Sequence, residues 1–313
     1  MTTYNQSTAT VCTLTDNANY QSDPLSVYQL LCHNKENNLL LESAEIDQKH
    51  LLKSLLLVDA ALKIVCNGNT VTFNALTLNG QATLQFAASQ LQSHAQLNLS
   101  SNKQTLTAIF SNIPTELDEK ARLMAVNPFE SLRLFQRIEN SNNHHFAIFL
   151  GGAFAFDMIS ISEVLPEVPD SENTCPDFVY YLAETLVVID HEEQSTEVIA
   201  NIFSSTNRNE EQAKQELIVQ KELTERITEI KELLSNDITS KKVASKAAKT
   251  LTNTNSSQTA KKLAASALSQ KSRSKQTGAE LEDLASKVLK STKYNSDTKE
   301  FAASVLSQSN KER

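Results

Sequence analysis

The chain has 313 residues and is 40% hydrophobic, enough to bury a core in at least part of its length. With 5 glycines and no Trp it contains neither a Gly-x-Gly-x-x-Gly nor a Gly-x-x-x-x-Gly-Lys pattern, so the usual phosphate-cradling loops are excluded. The net charge of -8 divides sharply: residues 236–313 hold 15 basic and 7 acidic side chains, a net of +8, and the rest hold 14 basic and 30 acidic, a net of -16.

Residues 1–22 are rich in Thr, Asn and Gln and predict a flexible start. They lack the basic head and apolar stretch of a signal peptide, and no apolar run approaches membrane-spanning length. A soluble cytoplasmic protein with no membrane partner is expected. Pro24 to Leu31 has apolar residues at helical spacing, and Asn37-Asn38 breaks the pattern. Leu39-Leu40-Leu41-Glu42-Ser43 reads as a buried strand with a polar end. Leu51 to Val65 fits helix or strand. Lys63 to Cys66, then Asn67-Gly68-Asn69, then Thr70 to Phe73 reads as strand, turn and strand.

Ala82 to Gln96 predicts a helix and Thr105 to Phe110 a strand. Glu116 to Met124 and Pro128 to Glu139 predict further helices. His145 to Asp157 contains Gly151-Gly152 between aromatic residues, which marks a strand closely approached by another backbone. Phe178 to Asp190 is a long β-branched strand, turned by His191-Glu192-Glu193-Gln194 onto a partner at Thr196 to Phe203. The fold class is therefore α+β, with antiparallel β-sheets and packed helices, followed by a short all-α tail.

Asn209 to Leu234 predicts one charged helix whose seam, Leu223, Ile227, Ile230 and Leu234, suits docking on its own domain more than a coiled coil. The tail carries an internal repeat. Ala265 to Gln270 recurs as Ala303 to Gln308, and Val243 to Lys246 recurs as Leu284 to Lys287. Each copy reads as two short helices with a narrow Ala-rich stripe, marginally stable alone. Its positive charge fits RNA, DNA or an anionic membrane, but a solvated helical surface is the preferred reading. Four divisions result: 1–22 flexible, 23–208 folded, 209–235 helical, and 236–313 a basic helical repeat.

Cys12, Cys32, Cys66 and Cys175 show no paired spacing, so neither a disulfide framework nor a zinc site is indicated. His144-His145 and His191 are available imidazoles. His191-Glu192-Glu193 reads as a hairpin turn rather than a metal site.

Several blocks together resemble a known family. They are Leu39-Leu40-Leu41-Glu42-Ser43-Ala44-Glu45-Ile46-Asp47, then Leu51 to Asn69, then Phe149 to Asp157 with its Gly-Gly-x-Phe-x-Phe-Asp, then Cys175-Pro176-Asp177-Phe178 through His191. Over about two hundred residues the chain resembles the N-terminal half of anthranilate synthase component I, a chorismate-using enzyme of tryptophan biosynthesis. Phe156 stands where that family has Tyr.

The resemblance implies a site for the feedback inhibitor tryptophan at Leu41, Glu42, Ser43, Ala44 and Lys53. Glu42 would meet the ammonium, Ser43 either polar group, Lys53 a carboxylate, and the leucines an indole. In the family an Asn-Pro-x-Pro-Tyr-Met segment of the second half closes this pocket, and that motif does not occur here. Weak tryptophan binding at most is expected. The family's Gly-Thr-x-x-Arg-Gly pattern is likewise not found, so no catalytic residue and no metal ligand is assigned. Mg²⁺ belongs to the full-length family and no cofactor is expected for this chain. The implied partners are a glutamine amidotransferase subunit and a separately encoded catalytic half. Strands deprived of that half are expected to leave unpaired edges.

Overall fold

The computed structural model describes residues 8–42, 53–114, 116–156, 158, 175–205, 208–269 and 279–307. The chain forms two compact units, residues 1–232 and 233–313.

Among the described residues of the first unit, ten strands join one sheet. Its axis is a pair of long antiparallel strands, β3 (Lys53–Asn67) and β9 (Phe178–Asp190). The apolar run that fits helix or strand equally is thus a strand, because a second β-branched run pairs with it from Lys53 to Cys66. Their register shifts around Asp59 and Ala60. A bulge there re-aims both strands, so each serves two neighbourhoods.

Below the bulge, β3 also pairs with β2 (Leu39–Glu42), and β9 pairs with β10 (Ser195–Ser205). β10 in turn holds β1 (Ala9–Ala18) along its whole length. Above the bulge, β3 pairs with β4 (Thr70–Ala75). β4 pairs with β6 (Thr105–Phe110), and β6 with β5 (Ala95–Leu99). β8 (Leu150–Phe154) lies on the free side of β9. A two-residue strand β7 (Glu139–Asn140) runs parallel to β1, and the other pairings are antiparallel. The mixture of helices with a mainly antiparallel sheet is α+β.

Three expectations are corrected. The flexible start expected over residues 1–22 contains β1, whose Val11 is fully buried; the polar sequence conceals a strand that β10 recruits. Second, the strands pair with one another in a sheet within this unit, although β2, β5 and β8 each pair on one side only among the described residues, as the unpaired edges expected. Third, the helix expected at Ala82 to Gln96 is α2 (Leu78–Leu91). It starts early because the Thr77 hydroxyl caps it by accepting from Gly80 N–H at 3.1 Å, and it stops early because Ala95 onward pairs with β6.

Glycines mark the closest approaches. A Cβ at Gly80 would stand 1.9 Å from the Ala61 carbonyl oxygen, so only glycine lets α2 sit on β3. A Cβ at Gly152 would stand 2.1 Å from the Val179 carbonyl oxygen. Gly68, at φ +56, turns the β3–β4 hairpin.

α1 (Pro24–Cys32) is capped by Asp23 and buries Val27 and Leu31. The segment Pro128 to Glu139 divides into α4 (Glu130–Arg133) and a 3-10 turn over Leu134–Arg137, after α3 (Glu119–Met124). No disulfide joins the four cysteines among the described residues, and burial pushes Cys32 up to about 11 and Cys66 up to about 12.

The charged helix α5 (Glu210–Thr252) is one helix across the boundary expected near residue 235, since nothing in that stretch stops it. Within the first unit it docks on the sheet. Val219, Leu223, Ile227 and Ile230 are buried, Arg226 Nε donates to Asp59 Oδ2 at 2.9 Å, and Lys231 pairs with Asp16. Asp59 also receives Lys35 Nζ at 3.1 Å, so one carboxylate at the bulge ties the segment after α1, and α5, to β3.

A polar network lies under α2. Asn79 Nδ2 donates to the Asn201 carbonyl at 2.7 Å, and Phe203 N–H donates to Asn79 Oδ1 at 2.8 Å. Thr13 Oγ1 donates to Asn201 Oδ1 at 2.8 Å. Glu184, 7% exposed, accepts from Thr77 Oγ1 at 2.7 Å.

The second unit contains the end of α5 with α6 (Gln258–Ser269), α7 (Ala279–Lys290) and α8 (Ser296–Ser307). Both repeat copies feed one core: Val243, Ala247, Leu263 and Ala264 from the first, Val288 and the fully buried Phe301 from the second.

Burial raises the Glu184 carboxyl above the usual range, and its hydrogen bonds to Thr77 and Asn79 only partly oppose this. A group whose folded value is raised stabilises below its unfolded value, and that contribution is lost as pH rises through the folded value. Glu184→Gln is therefore expected to gain about 1 kcal/mol relative to the parent between about pH 5 and about pH 8, measured by urea unfolding followed in the near-ultraviolet.

Candidate functional site

The segment that carries the resemblance enters the sheet through β2. Glu42 lies opposite Ser54, and Leu41 lies opposite Leu55. Lys53 lies opposite Asp190 on β9. Directly opposed residues share a face, and successive residues alternate faces. Glu42 and Ser54 therefore share one face, and Leu41, Leu55, Lys53 and Asp190 share the other. The register brings Leu41 together with Lys53 and separates both from Glu42. Leu41 is 44% exposed and Glu42 is exposed at the strand end. Ser43 and Ala44 lie outside the described residues.

On the first face a small polar cluster forms. Ser54 Oγ is 3.0 Å from His191 Nε2, and Tyr20 Oη is 2.9 Å from His191 Nδ1. The Tyr20 and His191 rings meet edge to face at 5.9 Å. A serine on an imidazole is the pairing of a nucleophile with its base. Here Ser54 is only 3% exposed, and the second ring nitrogen meets a phenol instead of a carboxylate. The cluster thus pins the β9–β10 turn to β1 and β3, and it accounts for both nitrogens of His191.

On the second face Lys53 Nζ is 3.0 Å from Asp190 Oδ2. Asp190 Oδ1 accepts the N–H of Glu193 at 3.0 Å and of Glu192 at 3.1 Å. The Glu193 N–H foremost, with Lys53, holds this carboxyl below the usual range. A ligand carboxylate at Lys53 would compete with Asp190.

His144 is also engaged: its Nδ1 accepts from Phe146 N–H at 3.2 Å, and its Nε2 is 3.4 Å from Glu197. Among the described residues no three His, Cys, Asp or Glu side chains are grouped to hold a metal ion. No helix among them is long and apolar enough to cross a membrane.

A cavity of about 190 Å³ lies elsewhere, between α2, the end of β10 and the start of α5, lined by Asn79, Gln85, Phe203, Arg208 and Gln212 among others. It is below the size of typical small-molecule sites, and none of Leu41, Glu42 or Lys53 lines it.

Sequence reasoning selected Lys53 and overlooked its partner Asp190, and it overlooked the cluster of Ser54, His191 and Tyr20 on the opposite face. The available signal was that Lys53-Ser54 and Asp190-His191 both fall within blocks of the resemblance; their adjacency needs the β3–β9 register.

Comparison with known proteins follows the same blocks. No family model matches the chain. Anthranilate synthase component 1 of Vibrio cholerae is 46% identical over 185 residues, 59% of this chain and 35% of that protein. The Escherichia coli protein of that name is 40% identical over 223 residues, 71% of this chain and 40% of that protein. That of Buchnera aphidicola from Acyrthosiphon pisum is 33% identical over 218 residues, 68% of this chain and 41% of that protein. The chain spans about two fifths of the length of these curated relatives. It is thus related to anthranilate synthase component 1 over the greater part of its own length and the lesser part of theirs.

Asp190→Asn is expected to cost about 1 kcal/mol at neutral pH, by weakening the turn caps and the Lys53 pair. A lowered carboxyl stabilises above its unfolded value and loses this as pH falls through the folded value. The penalty should therefore shrink in acid, as thermal melts at about pH 7 and about pH 3 would show.

Proposed function

We propose that this chain is a truncated anthranilate synthase component 1. It carries the regulatory, tryptophan-binding region of the tryptophan-biosynthesis enzyme and not the chorismate-binding half, and its first unit has that enzyme's N-terminal type of fold. The observation that carries this reading is 46% identity over 185 residues, confined to 35% of the relative. The helical second unit carries the opposite net charge to the first.

In this reading Leu41 and Lys53 offer an apolar wall and a cation on one face of the β2 edge, with Glu42 at its end and Ser43 and Ala44 beyond it. Lys53 already pairs with Asp190, and Leu41 is open to solvent. A zwitterionic amino acid held there stays wet and must displace an ion pair, so binding is weak. Titration calorimetry with L-tryptophan is expected to give a dissociation constant weaker than about 1 mM, or no heat. The chain is also expected to form no fluorescent anthranilate from chorismate, ammonia and Mg²⁺. Turnover would refute the truncated reading, and micromolar tryptophan binding would refute the incomplete pocket.

One observation favours a second reading. Phe154 and Phe156 are 46% and 87% exposed, and Met124 is 80% exposed. Large apolar side chains in water fit a protein partner. The chain then acts as one subunit of a split enzyme, or as a binder of the glutamine amidotransferase component. Mixing the chain with a separately produced catalytic half is expected to restore anthranilate synthesis under this reading. Failure both to restore activity and to retain the amidotransferase subunit on a column would reject it.

A further inference from the structure

The duplication in the second unit repeats charges as well as core residues. Lys246 and Lys249 at the end of α5 recur 41 residues later as Lys287 and Lys290 at the end of α7. Lys261 in the first turn of α6 recurs 38 residues later as Lys299 in the first turn of α8. The turns between are equivalent too. Ser257 Oγ accepts Ala260 N–H at 3.2 Å before α6, and Asn295 Oδ1 accepts Thr298 N–H at 3.0 Å before α8.

The repeated lysines do two different jobs. Lys246 is bound to Glu300 at 2.5 Å and Asp297 at 3.4 Å, and Lys287 to Asp283 at 2.5 Å. Lys249, Lys261, Lys290 and Lys299 make no ion pair among the described residues, nor do Lys262 and Lys293. Against these six, Glu282 is the sole acid without an ion pair among the described side chains of this unit. Each turn is thus flanked by unneutralised lysines and carries Asn, Ser and Thr, the second with Lys293 and Tyr294 as well.

The apolar side of the helices is largely committed to the shared core, with Val288, Phe301 and Val305 buried. That leaves no apolar stripe among the described side chains to enter a lipid surface. Free lysines interleaved with hydroxyl and amide donors match a phosphodiester chain, whose oxygens accept from both. No exposed aromatic side chain accompanies them to stack on bases, since Phe301 is buried and Tyr294 packs against the core. We propose that the second unit binds the phosphate backbone of nucleic acid without reading its bases, through Lys249 and Lys261 beside one turn and Lys290 and Lys299 beside the other.

The test uses the full chain and a fluorescein-labelled duplex DNA of about 30 base pairs. Anisotropy is expected to show micromolar binding at about 50 mM salt that weakens steeply as salt rises. Lys249→Gln, Lys261→Gln, Lys290→Gln and Lys299→Gln combined should weaken binding at least about tenfold and flatten the logarithmic salt slope by up to about 3.6. Replacing the same four by Arg should preserve binding, which separates lost charge from lost fold. An equal charge change in the first unit, at Lys103, Lys120, Lys214 and Lys221, should leave affinity within about twofold. RNA and unrelated DNA sequences should bind within a few-fold of the first duplex. Absence of binding at low salt, equal loss in both glutamine variants, loss in the arginine variant, marked sequence preference, or tighter binding to phosphatidylserine vesicles would each overturn the proposal.

Discussion

The pairing of β3 with β9 is the constraint on which the first unit depends. Two strands of this length, buried over most of their extent, could simply make a hairpin-like ribbon. The shift of register at Asp59 and Ala60 prevents that. Below it the pair is flanked by β2 and β10, above it by β4 and β8. One bulge thus lets two strands anchor two neighbourhoods and supplies each with its own apolar face. Asp59 is at the bulge, where Lys35 and Arg226 reach it. The charge at the irregular point becomes the attachment for helices on that side, instead of an unpaired cost.

The second organising element is the polar network around Asn79, Asn201 and Glu184. Buried amides cost free energy unless every donor and acceptor is used. Asn201 meets this by accepting from Thr13 and donating to the Phe146 carbonyl at 3.0 Å, which joins β1, β10 and the segment before β8. Asn79 joins α2 to β10. Glu184 is the expensive member, a carboxyl placed under a helix start and away from water. The network therefore makes the packing of α2 specific while holding some stability in reserve to pH.

The tail solves a different problem. Ala-rich helices bury little area each, so one repeat copy cannot sustain a core. Two copies pooling Leu263, Val288, Phe301 and Val305 can. Once the apolar stripe is spent internally, the lysines that recur beside the turns are what the unit presents to its surroundings.

Much of this protein was legible in its sequence wherever the signal was local. The Asn67-Gly68 turn, the long β-branched run Phe178 to Asp190, the Gly151-Gly152 approach and the helical repeat all follow from propensity, turn chemistry and period, which depend on near neighbours. The resemblance was local as well, resting on short blocks such as Leu39 to Asp47. Tertiary structure decided the rest. β1 is a strand because β10 binds it, despite a polar sequence. Glu42 and Lys53 fall on opposite faces, and Ser54 meets His191 across 137 positions, only because of strand register. Register is set by which distant residues bury together, and a slip of one residue would exchange the two faces of a strand without altering a letter of the sequence.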